Sequence, residues 1–241
     1  MRPVLAQARV ELLLTLRRGE SVLLTFAIPM LLLWFFSTVD VLPTPDHLDD
    51  PVDFLVPGIL ALAVMSTAMV SLAIATGFER STGVLKLLGS TPLTRRQLLA
   101  AKIGAIVVIE ILQLTVLVVE GLLLGWEVDG AQVGAALAAL GLATVAFAGI
   151  GMLMAGTLPA LTTLAAANGL YLVLLLVGGM VVPLDELGGL EPVAKLLPSG
   201  ALSEAVHGAL EGTGIPAASW AVLAVWAVVT PALAAWRFRW D

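Results

Sequence analysis

Six apolar runs, each long enough to cross a hydrocarbon layer, leave this chain little choice of fold. A helix rising about 1.5 Å per residue needs about 20 apolar residues to span a core roughly 30 Å thick. Residues 21–39, 54–76, 103–125, 131–157, 160–182 and 217–236 meet that requirement. They predict an all-α integral membrane protein with six transmembrane helices in a single domain, 1–241. With 59% of its residues hydrophobic and 12% charged, the chain has no stretch that could house a soluble domain. Leu158 and Pro159 leave only a tight turn between the fourth and fifth runs, which predicts a helical hairpin there. The first run lacks a small-x-small cleavage pattern and is expected to remain in the mature protein.

The placement of charge orients the spans. Arg2, Arg9, Arg17 and Arg18 precede the first; Arg80, Lys86, Arg95, Arg96 and Lys102 lie between the second and third; Arg237 and Arg239 follow the sixth. With six spans these segments share one side, and Lys195 is the one cation on the other. Cationic loops stay in the cytoplasm, so both termini and the loop between spans two and three are expected to be cytoplasmic, in a multi-pass protein of the cell membrane. The acidic residues Asp40, Asp46, Asp49, Asp50, Asp53, Glu127, Asp129, Asp185, Glu186, Glu191, Glu204 and Glu211 all fall on the opposite side. The net charge of −6 therefore reflects loop placement rather than a binding surface.

Two further helices flank the spans. Val4, Leu5, Ala8, Leu12 and Leu16 share one side of an N-terminal helix expected to lie along the inner leaflet. In the 183–216 excursion, Ser199 is placed to cap a helix whose apolar face is Ala201, Leu202, Ala205, Val206, Ala209 and Leu210, stopped at Gly212. This reads as an outer amphipathic or re-entrant helix.

Much chemistry is excluded. There is no cysteine, so no disulfide or thiolate site. No phosphate-binding G-x-x-x-x-G-K-[ST] loop and no G-x-S-x-G elbow occurs. His47 and His207 are far apart and external, so no metal site is expected. Nothing resembles a nucleic-acid module, and the chain is not read as an enzyme.

Within the spans, Glu110, Gln113 and Glu120 share an arc of roughly 80° on one helix. Asn168 and Tyr171, three apart, are neighbours on another. A mid-span carboxylate costs about 2.5–3.5 kcal/mol on insertion scales, so this face should point into protein. Glu110, Gln113, Asn168 and Tyr171 are therefore read either as a face meeting substrate or protons, or as interhelical packing. Ala135, Ala139, Ala143, Gly151 and Ala155 in the fourth run are spaced for close helix approach.

The loop between spans two and three is the most informative segment. It divides into a short helical piece, a break at Gly89-Ser90-Thr91-Pro92, and a second helix begun by Thr94, with Gln97 at capping-box spacing. Val84, Leu85, Leu87 and Leu88 are apolar in a water-facing loop and need a surface to bury against.

From Glu79 to Lys102 this segment, ERSTGVLKLLGSTPLTRRQLLAAK, resembles the membrane subunits of type-2 ATP-binding-cassette (ABC-2) transporters, whose motif runs approximately E-R-E-x-G-T-L-E-x-L-L-x-T-P-L-S-R-x-x-L-L-x-x-K. Ser81 stands at the second acid and Lys86 at another. Leu197-Pro198-Ser199-Gly200-Ala201-Leu202 resembles the family's outer helix. The resemblance implies a permease of an ATP-driven exporter, with a cytoplasmic coupling helix docked on a separate ATPase. Glu79, Arg80, Gly83, Val84, Leu85, Leu88, Thr91 and Pro92 would form that interface, Glu79 and Arg80 bracing it against the N-terminal helix or the partner. ATP and Mg would be held by the ATPase pair, with none bound by this chain. A second permease copy or related chain would complete a dimer. The apolar spans and short outer loop suit a hydrophobic or amphiphilic, drug- or lipid-like cargo. The competing readings are a proton-coupled carrier using Glu110 and a non-transporting membrane scaffold or sensor.

Overall fold

A computed structural model describes residues 2–17, 19–39, 50–90, 94–128 and 130–237. The elements run α1 (Arg2–Arg17), α2 (Gly19–Thr38), α3 (Pro51–Met65), a π-helical turn (Ser66–Ser71), α4 (Leu72–Ser81), α5 (Val84–Gly89), α6 (Arg95–Leu123), α7 (Val133–Thr157), α8 (Ala160–Val177), a 3-10 stretch (Leu184–Leu190), α9 (Glu191–Leu196), α10 (Pro198–Leu210) and α11 (Ala217–Arg237). No strand occurs among the described residues. This is an all-α integral membrane protein.

Among the described residues, five helices are long and apolar enough to cross a membrane: Pro51–Ser81, Arg96–Leu123, Val133–Thr157, Ala160–Val177 and Ala217–Arg237. The first expected run coincides with α2, whose apolar part Thr25–Thr38 is shorter. Pro51 opens α3 at the first helical turn, where its missing N–H costs nothing. From there α3, the π-turn and α4 form one 31-residue rod, about 46 Å long at 1.5 Å per residue. Its length exceeds the hydrocarbon thickness of roughly 30 Å.

The core gathers around α7. Ala139, Ala143, Ala146, Phe147, Ala148 and Ala155 are fully buried. Two glycines allow the closest approaches. A methyl group on Gly151 would meet the Met69 carbonyl oxygen in the π-turn at 2.6 Å, and one on Gly149 would strike Thr230 and Pro231 of α11. The small-residue spacing read from the sequence thus lets α7 pack on two neighbours at once. The Thr230 hydroxyl lies 2.7 Å from the Ala146 carbonyl oxygen, tying α11 to α7 where Pro231 interrupts the α11 ladder. The α7–α8 hairpin is more open than its tight turn implies. Beyond Leu158 and Pro159, α8 packs chiefly on α4 and the π-turn rather than along α7.

The helix after the 183–216 excursion begins is buried on nearly all sides, wedged among α3, α7 and α11. It is inserted into the bundle rather than lying over it. Ser199 does not cap it: Leu197 is the N-cap and Pro198 the first helical residue, which places Ser199 inside the helix with its hydroxyl buried and unbonded. At the other end the Glu211 N–H donates to the His207 carbonyl, and Gly212 takes the left-handed conformation (φ +73°) that ends the helix. Lys195 bridges Glu191 (2.9 Å) and Glu204 (3.0 Å), and Ser219 donates to Glu204, which pins this excursion to α11. The carboxylate of Glu191 and then that of Glu204 hold the Lys195 ammonium pKa above its ordinary value.

The two kinds of glycine in α7 give a direct test. Gly151→Val should lower thermal stability in detergent by about 1–3 kcal/mol, the usual range for overpacking. Gly141→Val, with nothing within 4 Å of the added group, should leave it nearly unchanged.

Candidate functional site

The end of the bundle where α4, α5 and α6 meet is organised by one buried cation. Lys102 is 1% exposed, and its Nζ lies 2.7 Å from Glu79 Oε2 and 2.9 Å from Glu11 Oε2. Glu11 is oriented in turn by the Gln7 amide, which donates to its Oε1 at 2.8 Å. A lysine in such surroundings stays charged only when closely paired, and here two carboxylates flank it. The first and last residues of the Glu79–Lys102 segment thus touch, closing the loop that carries α5.

This pairing turns α1 away from the face its leucines suggest. Val4, Gln7, Ala8, Glu11, Leu12 and Thr15 face the bundle, while Leu5 and Leu16 point outward. An acid was drawn inward because a buried ammonium needed it, and hydrophobic periodicity alone holds no sign of this.

Arg80, adjacent to Glu79, reaches the opposite way. Its Nη1 donates to the Ala155 carbonyl and its Nη2 to the Leu158 carbonyl, both at 2.8 Å. These are carbonyls at the C-terminus of α7, where a guanidinium satisfies orphan acceptors and meets the negative end of the helix dipole. Neighbouring side chains therefore bind α4 to α1 and α6 on one side and to the α7–α8 turn on the other. Arg80 braces α7, not the N-terminal helix.

Gly83 follows with φ +80°, a conformation open to glycine at little cost, and it redirects the chain from α4 into α5. Thr94 accepts from the Gln97 N–H while the Gln97 side chain accepts from the Thr94 N–H, the reciprocal capping box read from the sequence. On α5, Leu85 is 0% exposed and belongs to the chain's own core, so it is not available to a partner. Leu88 is partly buried, whereas Val84 is 41% and Leu87 71% exposed. The apolar surface that α5 presents is Val84 and Leu87. Thr91 and Pro92 lie outside the described residues.

The four intramembrane polar residues separate into two pairs. Gln113 is buried and fully used, donating to the Thr25 carbonyl of α2 (2.8 Å) and accepting from Thr67 of the π-turn (2.9 Å). Glu110 Oε2 lies 2.7 Å from the Thr144 hydroxyl of α7. Both therefore fasten α6 to its neighbours. Asn168 and Tyr171 instead line a cavity of about 420 Å³ whose wall includes residues of α1, α2, the π-turn, α4 and α6. Glu11, Glu79 and Lys102 lie on its wall, and apolar residues such as Ile28, Leu62, Val70 and Ile106 make up much of the rest. The π-turn was not legible as such: six apolar and small residues, STAMVS, carry no signal that separates a π-turn from an α-turn. Among the described residues no cluster of acidic or histidine side chains is arranged to hold a metal ion.

A bundle of apolar helices, five of them among the described residues long enough to cross a membrane, is that of a multi-pass membrane protein. A family model described as ABC-2 family transporter protein matches residues 28–236. The chain belongs to the ABC-2 transporter family, as a membrane component without a nucleotide-binding domain of its own, and that family implies partnership with an ABC ATPase. No curated protein matches the chain. The match begins within α2, so Glu11 contributes to the ion cluster from outside it.

Removing the cation should be worse than removing the whole cluster. Lys102→Met leaves two carboxylates without it and is expected to cost about 3–5 kcal/mol of stability. Lys102→Met combined with Glu11→Gln and Glu79→Gln should recover most of that loss, both read from denaturation in detergent.

Proposed function

We propose that the chain is the permease subunit of an ATP-driven exporter, moving an amphiphilic or hydrophobic compound out of the cytoplasm with a separate pair of ATPases. The basic end of the bundle faces the cytoplasm of a cell whose plasma membrane holds the protein, and ATP and Mg reside on the partner. A second permease, another copy or a related chain, completes the assembly.

The observation that carries this reading is α5. It is a two-turn helix anchored in the core through Leu85, hinged at Gly83 and held at its base by the Glu79–Lys102 pair, yet it offers Val84 and Leu87 to the outside. An exposed apolar pair on a well-anchored projection fits a protein partner, since water alone disfavours it. The base of α5 is joined through Arg80 to α7 and through Lys102 to α1 and α6. A push on α5 is therefore delivered to helices on both sides of the rod. The carrier reading has less support: Glu110 accepts from Thr144 through Oε2, its Oε1 is buried without a hydrogen bond among the described residues, and the residue is not among those lining the cavity.

Val84→Asp with Leu87→Asp should remove ATPase association in co-purification from membranes holding a co-expressed cognate ATPase. Losing the burial of two such side chains, at about 1.5–3 kcal/mol each, weakens association more than a hundredfold. Membrane insertion and yield should be unchanged because both positions are exposed. Undiminished association would refute α5 as the docking element. Leu85→Asp, by contrast, should lose the fold itself.

A further inference from the structure

We infer that the cavity between α2 and α8 is a binding site for a non-anionic amphiphile, whose hydrogen-bonding head is received by Ser66, Ser71, Asn168 and Tyr171. The inference rests on the permease reading and gives its cargo a chemical class.

Hydroxyls on the helices of this chain normally turn back onto their own backbone. Thr15, Thr38, Thr115 and Thr157 each donate to the carbonyl four residues earlier. Ser66 and Ser71, at the two ends of the π-turn, do not, and neither they nor the Tyr171 phenol have a hydrogen bond or other partner among the described residues. Asn168 uses its amide N–H on the Leu164 carbonyl, which leaves its Oδ1 open. Three hydroxyls and an amide oxygen with unused capacity therefore line one cavity in the middle of a membrane protein. Polar groups that carry no packing bond in such a place are costly unless something pairs with them.

The character of the ligand follows from the rest of the wall. The charged groups on it, two carboxylates (Glu11 and Glu79) and one ammonium (Lys102), are engaged with one another and leave an excess of negative charge, so an anionic head would enter the cavity with no free cation to meet it. Ile28, Leu62, Val70 and Ile106 suit an alkyl chain. The volume of about 420 Å³ lies within the range of small-molecule sites. A π-turn supplies the polar half, as such turns often do at functional sites.

The test uses the purified full chain in phosphatidylcholine nanodiscs with a photoactivatable monoacylglycerol as probe. Crosslinks should concentrate in residues 62–75 and 168–171. Unlabelled monoacylglycerol should compete, and a monoacyl phosphate of equal chain length should compete poorly. Ser66→Ala, Ser71→Ala and Tyr171→Phe together should cut labelling about tenfold or more, since each lost hydrogen bond weakens binding about two- to tenfold. Ala75→Phe, which fills the cavity and leaves every polar group in place, should reduce it as well. Labelling spread along the outward faces of α6 and α11 and unaffected by these variants would overturn the site, and equal competition by the phosphate would overturn the ligand class. ATPase co-purification separates the two readings: retained association with absent labelling defeats the site alone, while an unaltered chain that co-purifies with no ATPase defeats the permease reading and leaves the labelling result standing.

Discussion

One buried ammonium holds this architecture together at the end where α4, α5 and α6 meet. Withdrawing Lys102 from water costs several kcal/mol, a cost met only if carboxylates are brought close on more than one side. One of them, Glu79, is 23 residues earlier in the chain, and the other, Glu11, is 91 earlier. Meeting that requirement fixes where α1 lies, where α4 ends and where α6 begins. The exposed face of α5 is defined by the loop that this contact closes. The apolar packing of the bundle is general to membrane helices; the placement of its ends comes from this charge pairing.

Away from that end the bundle is organised by the absence of side chains. Gly149 and Gly151 let α7 approach α11 and the π-turn on different faces, and Gly58 lets α3 come against the Met180 carbonyl. In a lipid environment, where burial of apolar surface gives little net drive, close contact and interhelical hydrogen bonds take over. Gln113 and Thr230 supply such bonds, to Thr67 and Thr25 and to Ala146. The inserted helix α10 extends the same scheme: Gly200 and Gly208 lie so close to the carbonyls of Ala194 and Gly214 that neither has room for a methyl group.

Much of the fold was legible in the residues, and the parts that were not share one cause. Span positions, the Thr94–Gln97 capping box and the stop at Gly212 depend on local patterns that a linear sequence displays directly. The inward turn of Glu11, the capping of α7 by Arg80 and the withdrawal of Leu85 into the core depend on partners far away in the chain. A motif of charged and apolar residues looked like an interface because its members lie outside the spans. In space Glu79, Arg80 and Leu85 are internal joints, and Leu87, which the motif did not single out, is the most exposed apolar residue on α5. The split of the polar face had the same origin: Glu110 and Gln113 meet Thr144 and Thr67, while Asn168 and Tyr171 meet a cavity wall supplied by other helices.

The π-turn has a consequence for phase. A turn closed five residues back holds one residue more than an α-turn, so every side chain after Ser71 is displaced by about 100° around the rod axis relative to an uninterrupted helix. Glu79 and Arg80, about 100° apart as neighbours on α4, meet Lys102 and α7 at the angular setting that this offset leaves them. The extra residue sits within the membrane while its effect is felt at the tip, which makes the rod a keyed shaft: its angular setting at one level determines which faces mesh at the other.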